Sequence, residues 1–363
     1  FPRIHVGNKY FGGVGCLDKF PLKVTEHRLK EITGEVDEPM TREDKEFDRL
    51  ILFNGKNEHE WDDVWKLYKQ EIASQWVTEE IDCSADSEHW NDLKNGEQHF
   101  LKMILAFFAS LDVLVMQNIS INFGSEIKIP QAMCHFGAQD AMESVHAEVY
   151  ALFIQTYMKD KKERDTVLQS VQTMPIIKKK ASWVMRYMNA DTVSLAERLI
   201  GFTCLEGLQF QSGFAAIFYF KQRGLLPGLC FANAQIAKDE MAHTEASILI
   251  YRKLANKLPE TRVHEIFRDA VDIEREFVCE ALPVSLIGMN AKQMSTYIEY
   301  VADFWLVRLG YAKLYNANNP FGFMEMIGLQ GKSSFFEVRV PEYARANVLA
   351  DENEAEFSLD VDF

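Results

Sequence analysis

The sequence predicts an all-α protein. From Trp61 onwards apolar residues recur with helical spacing, and no proline stands between Pro39 and Pro130. Sustained alternation of apolar and polar residues, the pattern of a half-buried strand, is confined to SFFEVRV at 334–340, which could form one short strand. We therefore expect long helices packed on one another, without a sheet of any size.

Nine segments carry the helical pattern, and several of them exceed 25 residues. Pro130 suits the first turn of its helix, where a missing backbone N–H does no harm. The Pro-Gly turn in RGLLPGL, residues 223–229, separates two long helices. In chain order the predicted helices are 62–74, 96–126, 131–158, 162–173, 177–188, 194–223, 229–256, 260–281 and 291–313.

The two ends of the chain differ from the helical domain, which spans 61–340. Residues 1–60 are irregular, with a Gly-rich stretch and then a charged one, and predict an arm with little core of its own. Residues 341–363 are acidic and polar but contain spaced apolar residues. This tail is either a disordered end without function or a docking peptide, and its aromatic final residue favours docking. The apolar residues that would insert into a partner are Phe357, Leu359, Val361 and Phe363.

Composition excludes several classes of partner. A net charge of −15 at pH 7 repels phosphate backbones, so we expect no nucleic-acid partner. The most apolar run, MILAFFASLDVLVM, is too short to span a bilayer and carries Asp112, so we interpret it as a buried helix and expect no membrane partner. The six cysteines are scattered and form no CxxC pair, which indicates free thiols in a reducing compartment such as the cytoplasm.

The spacing Glu-x-x-His occurs twice, at Glu143–His146 and at Glu240–His243. Residues three apart lie on one face of a helix, so each pair could form half of a metal site. A single such pair is weak evidence, because glutamate and histidine are common on helix surfaces.

Two further long helices each carry a carboxylate among apolar neighbours, Asp112 and Glu206, without Lys or Arg within four residues. A buried, unpaired carboxylate is costly and must be neutralised, paired or bound to a metal. Asp, Glu-x-x-His, Glu and Glu-x-x-His in chain order match the ligand pattern of ferritin-like di-metal carboxylate bundles. Four carboxylates would neutralise two divalent ions, and oxygen and imidazole ligands suit iron or manganese. The alternative is four core carboxylates with scattered polar partners.

Tyr150 follows His146 by four residues and shares the ligand face of that helix. Other residues on the ligand faces are apolar, namely Phe210, Phe214 and Ile236. A phenol that lies beside a metal pair and is surrounded by apolar side chains can hold a radical, because water and reductants do not reach it. The spacing is equally consistent with a core tyrosine that donates a hydrogen bond.

These motifs together resemble the small, radical-generating subunit of class I ribonucleotide reductase, of the eukaryotic or viral type. The resemblance covers roughly residues 61–363, and the separations of 31 residues from Asp112 to Glu143 and 34 from Glu206 to Glu240 fit it. The matching segments are LAFFASLD, ESVHAEVY, ERLIGFTCLEG, SGFAAIF, KQRGLLPGL, KDEMAH, GKSSFFEVRV and FSLDVDF.

The resemblance implies a ferritin-like homodimer in which Asp112, Glu143, His146, Glu206, Glu240 and His243 bind two irons and Tyr150 carries the radical. It implies that the radical equivalent passes to a large subunit, which holds the nucleotide and is bound by the tail. The residues implied in this transfer are Trp76, Asp239, which would bridge Trp76 to His146, and Tyr343.

Four positions depart from the usual family pattern: Met133, Asp140, Ala234 and Lys238 stand where an Arg, an apolar residue, a Glu and an Arg are common. Asp140 could add a carboxylate near the site and alter the choice of metal. Two other functions therefore remain open at this point. One is a di-iron oxidase or iron-storage protein, and the other is a non-catalytic small-subunit paralogue, against which the complete ligand set argues.

Overall fold

A computed structural model describes residues 38–41, 60–281 and 283–327 of the chain. Over these residues the chain is helical and has no β-strand, which confirms the all-α prediction. The possible strand at 334–340, the tail at 341–363 and most of the arm at 1–60 lie outside the described residues. From the arm, the Glu38 carboxylate accepts hydrogen bonds from the backbone N–H groups of Ala255 and Asn256.

Eleven α-helices of seven residues or more form the described part of the chain. They are α1 Asp62–Ala73, α2 Asp86–Asp92, α3 Asn95–Asn118, α4 Pro130–Tyr157, α5 Lys161–Thr173, α6 Pro175–Met188, α7 Leu195–Cys204, α8 Gln211–Gln222, α9 Pro227–Lys253, α10 Glu260–Arg275 and α11 Ala291–Leu309. Three π-helical segments extend α3, join α7 to α8 and follow α10: Ile119–Phe123, Leu205–Gln209 and Glu276–Ala281.

All nine predicted segments are helical, but the sequence did not predict α2. Its residues, DSEHWND, lack an apolar period. Its buried Asp86 instead accepts hydrogen bonds from the backbone N–H groups of Gly228 and Leu229, each at 2.8 Å. Asp86 therefore caps the N-terminus of α9 from a distant part of the chain, where local sequence supplies no Ser, Thr, Asn or Asp cap.

The core lies between the long helices. Helix α3 packs along α4, and α9 packs on α7 and α8, while α4 and α9 contact each other and α1. With its π-helical extension, α3 becomes an apolar helix of 32 residues, Asn95–Glu126, long and apolar enough by composition to cross a membrane. Its apolar side chains are instead largely buried within the bundle, as expected of a core helix.

Candidate metal centre

The structure brings together the six side chains that the two Glu-x-x-His pairs and the isolated carboxylates singled out. All six are at most 1% exposed. Their ligand atoms form two groups that share Glu143, and within each group these atoms lie within 4.8 Å of one another. The groups are Asp112 of α3 with Glu143 and His146 of α4, and Glu143 with Glu206 of the π-helical segment and Glu240 and His243 of α9.

Glu143 and Glu240 lie between the two imidazoles. His146 Nδ1 is 3.3 Å from Glu143 Oε2 and 3.2 Å from Glu240 Oε1. His243 Nδ1 is 3.1 Å from Glu143 Oε1 and 3.7 Å from Glu240 Oε2. Two ligand atoms about 2.1 Å from one ion and at right angles to each other are about 3.0 Å apart. Each carboxylate thus turns one oxygen toward each histidine.

Most of the polar atoms in this cluster have no hydrogen-bond partner, although they are buried. The atoms concerned are Asp112 Oδ2, both carboxylate oxygens of Glu143 and Glu240, Glu206 Oε2 and the Nδ1 atoms of His146 and His243. A buried acceptor without a donor is destabilising, and a carboxylate more so. Four carboxylates and two imidazoles are the donor set that iron and manganese accept, so the residues fit a site for two divalent ions.

The electrostatics of the cluster indicate surplus negative charge. Burial, and then the neighbouring Glu143, raises the pKa of Asp112 well above its usual value. Burial and then Glu240 act in the same way on the pKa of Glu206. Although burial opposes the change, the two imidazoles lower the pKa of Glu143 to about 2, and the surrounding carboxylates raise the pKa of both imidazoles. Carboxylates crowded in one buried site repel each other, and bound cations relieve that repulsion.

A chain of hydrogen bonds leads out of the cluster. The Trp76 indole N–H donates to Asp239 Oδ2 at 2.7 Å, and the same oxygen lies 3.1 Å from His146 Nε2. The Trp76 and His146 rings are stacked, with centroids 6.1 Å apart. Trp76 lies just beyond α1 and is buried, whereas the next residue, Val77, is 49% exposed. Trp76, Asp239 and His146 therefore connect the cluster with the edge of the described fold.

Tyr150 is buried one helical turn beyond His146, and burial followed by the charges of Asp112 and Glu240 raises the pKa of its phenol well above the usual value. Its ring stacks on Phe108, at a centroid distance of 5.2 Å. The sequence did not single out Phe108, although it precedes Asp112 by four residues on α3 and thus satisfies the same helical spacing. Phe108 also contacts the other apolar residues predicted here, Phe210 at 5.5 Å and Phe214 at 5.3 Å, while Ile236 is buried on α9.

Two more residues that the sequence did not single out hold the segment around Glu206. Gln139 Nε2 donates to Glu206 Oε1 at 2.8 Å. The Trp305 indole N–H donates to the backbone oxygen of Gly207 at 2.6 Å, within the π-helical segment. A Cβ on Gly207 would lie 2.8 Å from Trp305 Nε1, so only glycine permits this approach. Gln139 precedes Glu143 by four residues and could have been found by spacing, whereas Trp305 had no such signal.

A family model for the ribonucleotide reductase small chain matches residues 54–320. The chain belongs to the ribonucleotide reductase small-chain family. It is 46% identical over 339 residues to the ribonucleoside-diphosphate reductase small chain of Trypanosoma brucei brucei, covering 93% of this chain and 98% of that protein. It is 45% identical to the human ribonucleoside-diphosphate reductase subunit M2, covering 91% and 83% of the two chains.

Structural comparison gives the same family. The ribonucleotide reductase Rnr4 homodimer from Saccharomyces cerevisiae matches with a TM-score of 0.74 and 32% identity, over 82% of this chain and 92% of that one. Membership of the family confirms the predicted resemblance, the helical-bundle fold class and the assignment to an oxidoreductase.

None of the four departures from the usual family pattern is a ligand in the cluster. Met133 is 48% exposed, and Ala234 is partly buried. Asp140 Oδ2 accepts a hydrogen bond from the Ser120 hydroxyl, and Asp140 is absent from both ligand groups found in the described residues. Lys238, next to Asp239, has a pKa lowered by burial. Tyr343 and the predicted docking residues Phe357, Leu359, Val361 and Phe363 lie outside the described residues.

Proposed function

We propose that this chain generates and stores the radical that a large ribonucleotide reductase subunit uses to convert ribonucleotides to deoxyribonucleotides. Asp112, Glu143, His146, Glu206, Glu240 and His243 would hold two iron ions, and Tyr150 would carry the radical. Such ions, when bound, would supply the electrons that activate oxygen, and the Tyr150 phenol would give up one electron and one proton to the oxidant so formed. The large subunit supplies the nucleotide site.

The observation that carries the proposal is the hydrogen-bonded chain from Trp76 through Asp239 to His146, with distances of 2.7 and 3.1 Å. A ligand histidine commonly donates its second ring N–H to a carboxylate, which fixes the orientation of the ring. An oxidase or an iron-storage protein needs nothing beyond that carboxylate. Here the carboxylate is also bonded to an indole, a side chain that can be oxidised, at the edge of the described fold.

Tyr150 is suited to keep a radical once it has formed. The raised pKa disfavours the phenolate, so oxidation of the phenol releases a proton as well as an electron. The ring is 3% exposed and stacks on Phe108, and Phe108 in turn packs on Phe210 and Phe214. These hydrocarbon side chains exclude water and dissolved reductants from the phenol.

Electron paramagnetic resonance tests the radical directly. The metal-free protein is loaded with ferrous iron or with manganese, exposed to oxygen and frozen within seconds. We expect a tyrosyl signal with iron that disappears in Tyr150→Phe and persists in Tyr157→Phe, which removes another buried hydroxyl from the same helix. Metal uptake without a radical in the wild type would contradict the proposal and favour an oxidase, a storage protein or a non-catalytic paralogue.

We propose further that the chain forms a homodimer in the cytoplasm and that its last residues bind the large subunit, with Tyr343 passing the radical equivalent across. Deletion of residues 357–363 should leave the tyrosyl signal intact and abolish nucleotide reduction in the presence of the large subunit. Trp76→Phe, which keeps a ring but loses the bond to Asp239, should likewise retain metal and lose reduction. Full reduction by either variant would overturn its assigned role.

A further inference from the structure

A second imidazole–carboxylate pair lies beside the six metal ligands. His135 of α4 is 1% exposed, and its Nδ1 lies 2.8 Å from Glu71 Oε2 of α1. The His135 ring packs edge-on against the ring of the ligand His243, with centroids 6.5 Å apart. His135 is not a member of either ligand group, so its role differs from theirs.

The second ring nitrogen of His135, Nε2, can act as a metal ligand. In the neutral ring, a proton on Nδ1 that is donated to Glu71 leaves a lone pair on Nε2. His135 Nε2 is buried and has no hydrogen-bond partner, and the same is true of Glu71 Oε1. A carboxylate on one ring nitrogen and an open second nitrogen is the arrangement found in metal-binding histidines.

A second unpartnered atom lies one helical turn along α4. Gln139 donates its Nε2 to the metal ligand Glu206, and this bond leaves Gln139 Oε1 buried without a partner. Residues four apart share a helix face, so His135 and Gln139 can offer a nitrogen and an oxygen to one ion. Both unpartnered atoms would then be satisfied together.

The pair lies between the centre and the outside of the bundle. Glu71 is 8% exposed, and Cys134 and Tyr68 beside it are half-buried. Burial, and then the charges of Cys134 and Glu71, raises the pKa of the Tyr68 phenol. Polar side chains thus extend from a half-buried surface through Glu71 and His135 to the ligands.

We propose that His135 Nε2 and Gln139 Oε1 bind a divalent cation transiently while it passes from solvent to the metal centre, with Glu71 orienting the imidazole and supplying negative charge. The inference rests on the proposed metal centre. The site is a loading site, because two neutral protein ligands hold an ion more weakly than the shared carboxylates of the centre do.

Stopped-flow absorbance of cobalt(II) uptake by the metal-free, full-length protein tests the inference. A loading site that fills before transfer makes the uptake rate saturate as cobalt concentration rises. We expect saturation in the wild type, and in His135→Phe a roughly ten-fold slower rate that rises linearly, with the same final content of bound cobalt. Glu71→Gln, which keeps an acceptor for Nδ1–H, should be slowed less, and Tyr157→Phe should behave as the wild type.

Uptake by His135→Phe at the wild-type rate would overturn the inference and would indicate that a water molecule satisfies Nε2. Loss of bound cobalt at equilibrium in His135→Phe would also overturn it, since His135 would then support the finished centre. If His135→Phe fails to fold, the cobalt uptake rate of Glu71→Gln provides the test. Uptake by Glu71→Gln at the wild-type rate and with the wild-type saturation would then overturn the inference. A wild-type protein that does not bind two cobalt ions would contradict the proposed metal centre itself.

Discussion

Two of the groups of buried carboxylates among the described residues differ in their partners. Around Glu274 of α10 the charge is satisfied by protein: Lys180 Nζ and the Ser212 hydroxyl each donate to one carboxylate oxygen. The Lys180 ammonium also lies 4.0 Å from the ring centroid of Phe107. Around Glu143 and Glu240 no lysine, arginine or hydroxyl in the described part of the chain donates to the four carboxylate oxygens, and only the imidazoles of His146 and His243 lie near them.

Burial of carboxylates is therefore a poor sign of a metal site by itself, because the group around Glu274 is as deeply buried as the group around Glu240. What distinguishes the metal centre is the shortage of donors. The fold supplies a lysine and a hydroxyl to one group and only two imidazoles to the other, which leaves negative charge for cations to neutralise.

The largest effect is expected where the protein itself provides the cation. Lys180→Met removes the ammonium and leaves the Glu274 carboxylate buried beside Ser212, which should cost about 3–5 kcal/mol in the free energy of unfolding. Urea denaturation of the metal-free protein measures this. The double variant Lys180→Met/Glu274→Leu should recover most of the loss, because an apolar pair leaves no buried charge. A Lys180→Met variant as stable as the wild type would show that the Glu274 carboxylate does not depend on the Lys180 ammonium.

Metal binding to the group around Glu143 and Glu240 should stabilise the protein against unfolding. Binding of Mn²⁺ at a free concentration about 100-fold above its dissociation constant adds about 2.7 kcal/mol per bound ion to the free energy of unfolding. The increment should be largely lost in Glu240→Gln, which removes a charged ligand from the cluster. Denaturation with and without Mn²⁺ provides the measurement. An equal increment in Glu240→Gln would show that the ion binds elsewhere.

Removing a charge from the metal-free centre should stabilise the protein. Glu206→Gln keeps an oxygen for the Gln139 amide and removes the repulsion with Glu240, which we expect to add about 2 kcal/mol near neutral pH. Because burial and Glu240 raise the pKa of Glu206 above 4.5, folding favours its protonated form, and the wild type loses stability as pH rises through the raised pKa. The gain from Glu206→Gln should therefore grow with pH, and a gain that shrinks would contradict this.

The sequence predicted the parts of this contrast that depend on helical periodicity. Spacing placed Glu143 with His146 and Glu240 with His243, and apolar surroundings without a nearby Lys or Arg distinguished Glu206. Glu274 lies next to Arg275, but its cation is Lys180, which is 94 residues away in the chain. Partners of this kind depend on how helices pack, so local patterns could not predict them.

The arm and the tail, whose bounds the sequence predicts, lie almost wholly outside the described residues, so these bounds stay predictions.

Local sequence patterns also could not predict the side chains that support the ligands. Glu71 and His135 are 64 residues apart, and Asp86 caps a helix that begins more than 140 residues later. Each of these side chains looks like a surface group in the sequence, and only packing buries it.

The smallest effect is expected at the backbone beside Glu206. Trp305→Phe keeps an aromatic ring against Gly207 but removes the N–H that the Gly207 oxygen accepts, which should cost about 1 kcal/mol of stability. A π-helical turn displaces the regular backbone hydrogen bonds, so a donor from another helix helps to hold that turn and the Glu206 side chain it carries. We therefore expect Trp305→Phe to weaken cobalt binding about ten-fold, through Glu206 and without loss of any ligand. Trp183→Phe, a change of the same kind on α6, serves as the control and should leave cobalt affinity unchanged. Equal cobalt affinity in both variants would show that the π-helical turn holds Glu206 without Trp305.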